Sequence, residues 1–235
     1  MPEIRPFRAI MYNKERVSLA SCVAPPYDVI SPEQQEELYL RDPANVIRLV
    51  LGREADRYGS AAEIFKKWQA EGILVRDDAP AIYIVSQHFT LPGGSLAVRK
   101  GFIAACKLED FGKGSVFPHE KTLSHPKEDR FRLFQATKAM FSQIFSIYGD
   151  TAHRIKWLVD ATMRLTPALE VEQDGFTTIM WKLTNPGAIA SISAAMEEPA
   201  RAVIIMAART GPSSRMMERD MTEPSRPSEP NFERV

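Results

Sequence analysis

Residues 116–130 read Val-Phe-Pro-His-Glu-Lys-Thr-Leu-Ser-His-Pro-Lys-Glu-Asp-Arg and concentrate the side chains that proton and phosphate chemistry uses. His119 and Glu120 could move protons or hold a metal, because imidazole titrates near neutral pH and a carboxylate accepts either partner. Lys121 and Thr122 add a cation and a hydroxyl for a phosphate. Lys127, Asp129 and Arg130 follow at the expected start of a helix, where cations beside free backbone N–H groups suit a phosphate. Asp129 has a plainer alternative as a first-turn acid facing the helix dipole. The whole stretch can also be read as a solvated charged connection before an amphipathic helix. Pro118 and Pro126 exclude a strand, since each removes a ladder donor. His119 and His125 do not stand one helical turn apart, and the helix is expected only after them, so a two-histidine zinc helix is excluded.

A second group lies upstream. Tyr27 and Asp28 follow two prolines, so a rigid backbone presents a phenol and a carboxylate. Asp28 could position substrate or Mg²⁺, or simply stabilise an Asx-type turn. Arg48 stands inside an apolar run and needs a partner if buried, either a structural acid or a ligand. His88 and His153 stand alone and are read as ordinary. The chain has no Walker loop, no G-x-G-x-x-G, no nucleophile elbow and no paired C-x-x-C.

These residues need elements to hold them. A short apolar run over 7–12 reads as a first strand. Ser31-Pro32-Glu33-Gln34 reads as a helix start, with Ser31 as cap and Gln34 closing a capping box. Residues 45–52 (N-V-I-R-L-V-L-G) read as a buried strand. Residues 57–72 are an amphipathic helix with Ala61, Ile64, Phe65 and Trp68 on one face and Gly72 at its end. Strands are expected over 81–91 and 101–108, joined through Pro92-Gly93-Gly94. A helix follows over 131–141, with Leu133, Phe134, Thr137 and Phe141 on its apolar side, then a strand over 143–148. Residues 153–165 read as a helix. Strands over 168–172 and 177–183 flank the Asp174-Gly175 turn, and Asn185 caps a helix from Pro186. Strands alternating with helices predict a mixed α/β (α+β) domain over residues 1–198, a mixed sheet with flanking helices. Residues 199–235 lose all periodicity and turn rich in Ser, Pro, Arg and Glu, which predicts a disordered tail.

Thirty Lys and Arg balance thirty Asp and Glu. Nothing global therefore favours nucleic acid or an acidic membrane surface. No apolar run approaches the length of a membrane span, and the first residues lack a signal peptide, which predicts a cytoplasmic protein. Cys22 and Cys106 follow no metal spacing and sit in apolar surroundings, as reduced buried thiols do.

Six blocks carry a family resemblance: A-P-P-Y-D-V-I-S (24–31), N-V-I-R-L (45–49), G-F-I-A-A (101–105), L-E-D-F-G-K-G (108–114), P-H-E-K-T-L (118–123) and P-K-E-D-R (126–130). In this order, over residues 5–197, they resemble a bacterial family catalogued as domain of unknown function 1015. That family is distantly similar to the ParB/sulfiredoxin superfamily, which includes an ADP-dependent serine kinase. The resemblance implies a phosphotransferase-like, kinase-like protein handling a nucleotide or small phosphorylated molecule, with ADP or ATP and Mg²⁺ as cofactors. It implies catalytic roles for His119, Glu120 and Asp28. Lys121, Thr122, Lys127, Asp129, Arg130, Tyr27 and Arg48 would bind phosphate or substrate, with metal ligands unassigned. The alternative it implies is a ParB-like module that binds nucleic acid or protein without catalysis.

One departure stands out. Members are usually much longer, and after a helix like 186–197 they carry an Asp-Gly-His-His-Arg motif that is absent here. This predicts a truncated chain, inactive if that motif is essential. A frameshift near residues 211–217 is the explanation that the DNA sequence would test.

Overall fold

The computed structural model describes residues 3–110, 114, 116, 124–196 and 205–206. In chain order the elements are β1 (Ile4–Arg5), β2 (Ile10–Tyr12), α1 (Leu19–Cys22), a 3-10 turn (Tyr27–Val29), α2 (Pro32–Arg41), α3 (Ile47–Val50) and α4 (Arg57–Ala70). They continue with β3 (Leu74–Arg76), β4 (Ile82–Thr90), β5 (Leu96–Cys106), α5 (Ser124–Thr137), α6 (Arg154–Thr162), β6 (Leu169–Gln173), β7 (Phe176–Leu183), α7 (Pro186–Ala195) and β8 (Ile205–Met206). Five strands form an antiparallel sheet in the order β1-β5-β4-β7-β6, and β8 runs parallel beside β5. This is the mixed sheet with flanking helices expected of a mixed α+β fold. Apart from β8, residues 199–235, the expected tail, lie outside the described residues.

Strand β4 is central, and both faces of its first half are buried, which is why it begins as an unbroken apolar run. On one face Ile82, Ile84, Phe102, Trp181 and Leu183 pack against Ile155 and Val159 of α6 and Ile192 of α7. On the other, Tyr83 and Met180 meet Phe7, Ala9 and Met11 from the N-terminal segment. The β6–β7 hairpin turns through Asp174 and Gly175, at φ 51° and 78°. Positive φ at both central residues is the type I′ turn that matches strand twist, and Asp-Gly is its preferred sequence.

The α1–α5 half surrounds two smaller cores. One joins Cys22, Leu49, Phe65, Trp68 and Leu74, and the other joins Leu38, Tyr39, Ile47 and Val50. The expected caps form. Ser31 Oγ accepts the Gln34 amide at 3.2 Å and Asn185 Oδ1 accepts the Ala188 amide at 2.9 Å. Asp56, not singled out from the sequence, also caps α4 by accepting the Gly59 amide at 3.0 Å. The Ser31 hydroxyl donates to Glu33 Oε2 at 2.8 Å.

Three expectations are corrected. Residues 45–52 hold the short helix α3 instead of a strand. The fully buried Asn45 explains it: Oδ1 accepts the Ile47 amide at 3.0 Å, while Nδ2 donates to the Ser21 and Val23 carbonyls at 2.7 and 3.1 Å. The side chain pins a helical turn to the α1 loop, and an apolar run alone cannot tell a buried strand from a buried helix. Residues 143–148 are irregular, with a single bridge at Ile144. They run from Phe145, 5.6 Å from the Arg99 guanidinium, to Tyr148, whose ring lies 5.5 Å from Phe102. Arg99 and Phe102 point to opposite sheet faces, so this segment crosses the outer edge of β5 instead of pairing along it. Third, α5 begins at Ser124, which places His125 and Pro126 in its first turn. Proline is tolerated there because its missing N–H has no intrahelical acceptor.

Candidate functional site

Helix α5 packs against α4, and their contact carries the most connected polar group near the expected site residues. Asp129 is its centre, with a side chain only 9% exposed. Its Oδ2 accepts Arg130 Nε at 2.8 Å and also contacts Arg130 Nη2. Its Oδ1 accepts the Tyr58 hydroxyl at 2.8 Å and contacts Arg57 Nη2. One buried carboxylate thus holds two guanidiniums and a phenol. Both oxygens serve as acceptors, as an ionised carboxylate's must.

Each arginine is also held by a ring. Arg130 stacks on Tyr27 with Cζ 3.9 Å from the ring centroid, and Arg57 lies 4.9 Å from the centroid of Tyr58. Arg130 Nη2 further donates to the Val50 carbonyl at 2.9 Å, tying α5 to the end of α3. Its Nη1 is buried and has no hydrogen-bond partner. Burial pulls the Arg130 pKa down and nearby Arg57 adds to this, while Tyr27, Tyr58 and Asp28 act in the opposite direction. A guanidinium stays charged under any such shift.

The structure brings Tyr27, Asp129 and Arg130 together, with Asp28 exposed on the adjoining 3-10 turn. That turn closes through the Val29 amide on the Pro26 carbonyl at 3.1 Å. Lys127 is exposed, one helical turn before Arg130. Arg48 is placed elsewhere: Nη2 donates to the Tyr39 carbonyl at 2.8 Å and Cζ lies 4.4 Å from the Tyr39 ring. It has no ion pair among the described residues, and its Nε is buried without a partner. His119, Glu120, Lys121 and Thr122 lie outside the described residues.

Arg57 and Tyr58 were not singled out from the sequence. The signal was present, because both continue the buried stripe of α4 backward from Ala61 at spacings of four and three. A charge on a buried stripe requires a partner.

A groove of about 740 Å³ between α6 and α7, lined by His153, Trp157 and Ser191 among others, contains none of the expected site residues. The charged side chains that line it are Arg154, Lys156 and Asp160, the last two paired with each other, so the groove lies apart from the Asp129 group. Among the described residues, no group of three or more His, Cys, Asp or Glu is placed to hold a metal ion. No described helix is long and apolar enough to cross a membrane. Cys22 and Cys106 are unpaired, and burial raises both thiols to about 11, which makes them poor nucleophiles.

No curated protein and no solved structure matches this chain. A family described as "Protein of unknown function (DUF1015)" matches residues 4–205. That span covers β1 through the start of β8, the Tyr27–Asp28 turn, α4 and α5, and the chain belongs to the DUF1015 family.

Proposed function

We propose that the Asp129 group binds the phosphate of a small molecule, a nucleotide in the first instance, and that the chain is related to phosphotransferases. The supporting observation is one buried carboxylate holding two arginines, with an Arg130 N–H left unsatisfied. Two cations share the one buried acid, the second carboxylate nearby, Asp28, being exposed, and a buried unsatisfied donor costs free energy. An anionic ligand reaching these residues would supply a further counter-charge. In this reading Lys127, Lys121 and Thr122 add phosphate contacts ahead of and along α5. His119 and Glu120 accept the proton of an attacking hydroxyl, and Asp28 orients substrate or Mg²⁺. ADP or ATP with Mg²⁺ would supply the phosphoryl group. The free thiols suit a reducing compartment such as the cytoplasm.

A second reading is a binding module without catalysis, as in ParB-like proteins. It is favoured by the saturation of Asp129, which gives this group the character of a structural knot.

Thermal unfolding with Mg²⁺ and ADP or ATP tests the first reading. At a hundredfold excess over Kd a native-state ligand adds about 2.7 kcal/mol. The nucleotide-induced rise should shrink when the Asp129 group is disrupted by Asp129→Ala. No rise at millimolar nucleotide would refute nucleotide binding by this chain. Binding without any phosphoryl transfer would support the second reading, as would a salt-dependent mobility shift with DNA.

A further inference from the structure

We propose that Arg57 makes first contact with the bound anion and that Arg130 is a positioning residue. This rests on the phosphate reading of the Asp129 group and deepens it.

The donors of the two arginines differ in use and access. Arg130 spends Nε on Asp129 and Nη2 on Asp129 and the Val50 carbonyl, and its remaining Nη1 is buried. Its guanidinium lies on Tyr27, and its side chain is 22% exposed. No donor of Arg130 is open to an incoming ligand unless the Tyr27 stack moves. Arg57 engages only Nη2 among the described contacts, with Asp129 Oδ1 and with Tyr58 Oη at 3.0 Å. Its Nε and Nη1 are not among the atoms buried without a partner, and its side chain is 31% exposed.

Charge leads to the same assignment. Arg130 meets Asp129 Oδ2 through two nitrogens, Nε and Nη2, so two charge-assisted contacts compensate its guanidinium. Arg57 meets the same carboxylate through one nitrogen only, so its charge is the less compensated of the two. The Tyr58 ring and hydroxyl hold that guanidinium by one end, leaving the other directed away from Asp129. A held cation with free N–H groups loses little side-chain freedom when an anion arrives. Arg130 in turn fixes Asp129, and through Val50 it fixes where α5 stands against α3.

The test titrates inorganic phosphate and pyrophosphate into the full chain, followed by calorimetry and thermal unfolding. The variants are Arg57→Gln, Arg57→Lys and Arg130→Gln, each checked for wild-type circular dichroism. We expect Arg57→Gln to weaken anion binding at least tenfold with little change in unfolding temperature without ligand. Arg57→Lys should recover part of the affinity. Arg130→Gln should lower the ligand-free unfolding temperature and weaken binding less than Arg57→Gln does. If Arg57→Gln binds like the wild type while Arg130→Gln does not bind, the assignment of Arg57 is overturned and the phosphate reading stands. If the wild type binds neither anion nor Mg²⁺-nucleotide, both fall.

Discussion

Replacing Asp129 by alanine should be among the more destabilising single changes in the α1–α5 half. The carboxylate is 9% exposed and compensates Arg130 and Arg57, whose side chains are 22% and 31% exposed. Its removal leaves two neighbouring guanidiniums without a counter-charge and the Tyr58 hydroxyl without its acceptor. Breaking a buried pair from one side costs about 3–5 kcal/mol, and a lost hydrogen bond to a charged group about 1.5–3 kcal/mol. These figures do not add, because all the contacts share one residue. The partial exposure of both arginines lets water replace some of what is lost, so we expect about 3–4 kcal/mol in total. At about 2–4 °C per kcal/mol for a chain of this size, unfolding should fall by about 6–16 °C. Urea denaturation with unchanged m-value would measure it. The double variant with Arg57→Gln should recover part of the loss, since one orphaned cation goes with the acid. A cost below about 1 kcal/mol would refute the reasoning, because it would make this group an exposed, solvent-screened ion pair.

Two further outcomes follow from groups outside the site. Asp160 bonds Lys100 of β5 and Lys156 of α6, which lowers its pKa from the ordinary 3.8 to about 2. A depressed folded-state value gives stability that is present above pH 4 and lost as pH falls toward 2. The Asp160→Asn variant should therefore show a flatter stability profile between those limits, and an unchanged profile would contradict the assignment. Gly175 sits at φ 78° with nothing within 4 Å of a built Cβ. Gly175→Ala should lose about 1 kcal/mol from backbone conformation alone, measurable as a lower urea midpoint, with no loss if another turn type serves equally.

Local signals predicted local structure well. Proline and asparagine at helix starts, Asp-Gly in a hairpin and the stripe of α4 each act within one turn of chain, and each formed. The failures came where distant residues decide. Asn45 selects helix for an apolar run because it binds carbonyls of the α1 loop more than twenty positions earlier in the chain. Residues 143–148 have a strand's composition but cross an edge already occupied at its far end by β1 and β8. The site was legible as a set of residue types, yet its organisation was not. Tyr27 meets Arg130 across about a hundred positions, and Arg57 shares its acid with a helix that a single helical wheel cannot show.

The pairing of β4 also bears on synthesis. β5 reaches β4 through a short hairpin, but the strand on the other side of β4 is β7, and 85 residues lie between Thr90 and Phe176. At about 5–20 residues per second, a nascent chain carries β4 for about 4–17 seconds before β7 is made. During that interval its ladder groups and the apolar side chains Ile82, Ile84 and Val85 face the ribosome's surroundings with one edge open. Such an edge can pair with another nascent chain. Slowing translation between codons 91 and 175 should therefore lower soluble yield, and a chaperone that shields strand edges should restore it.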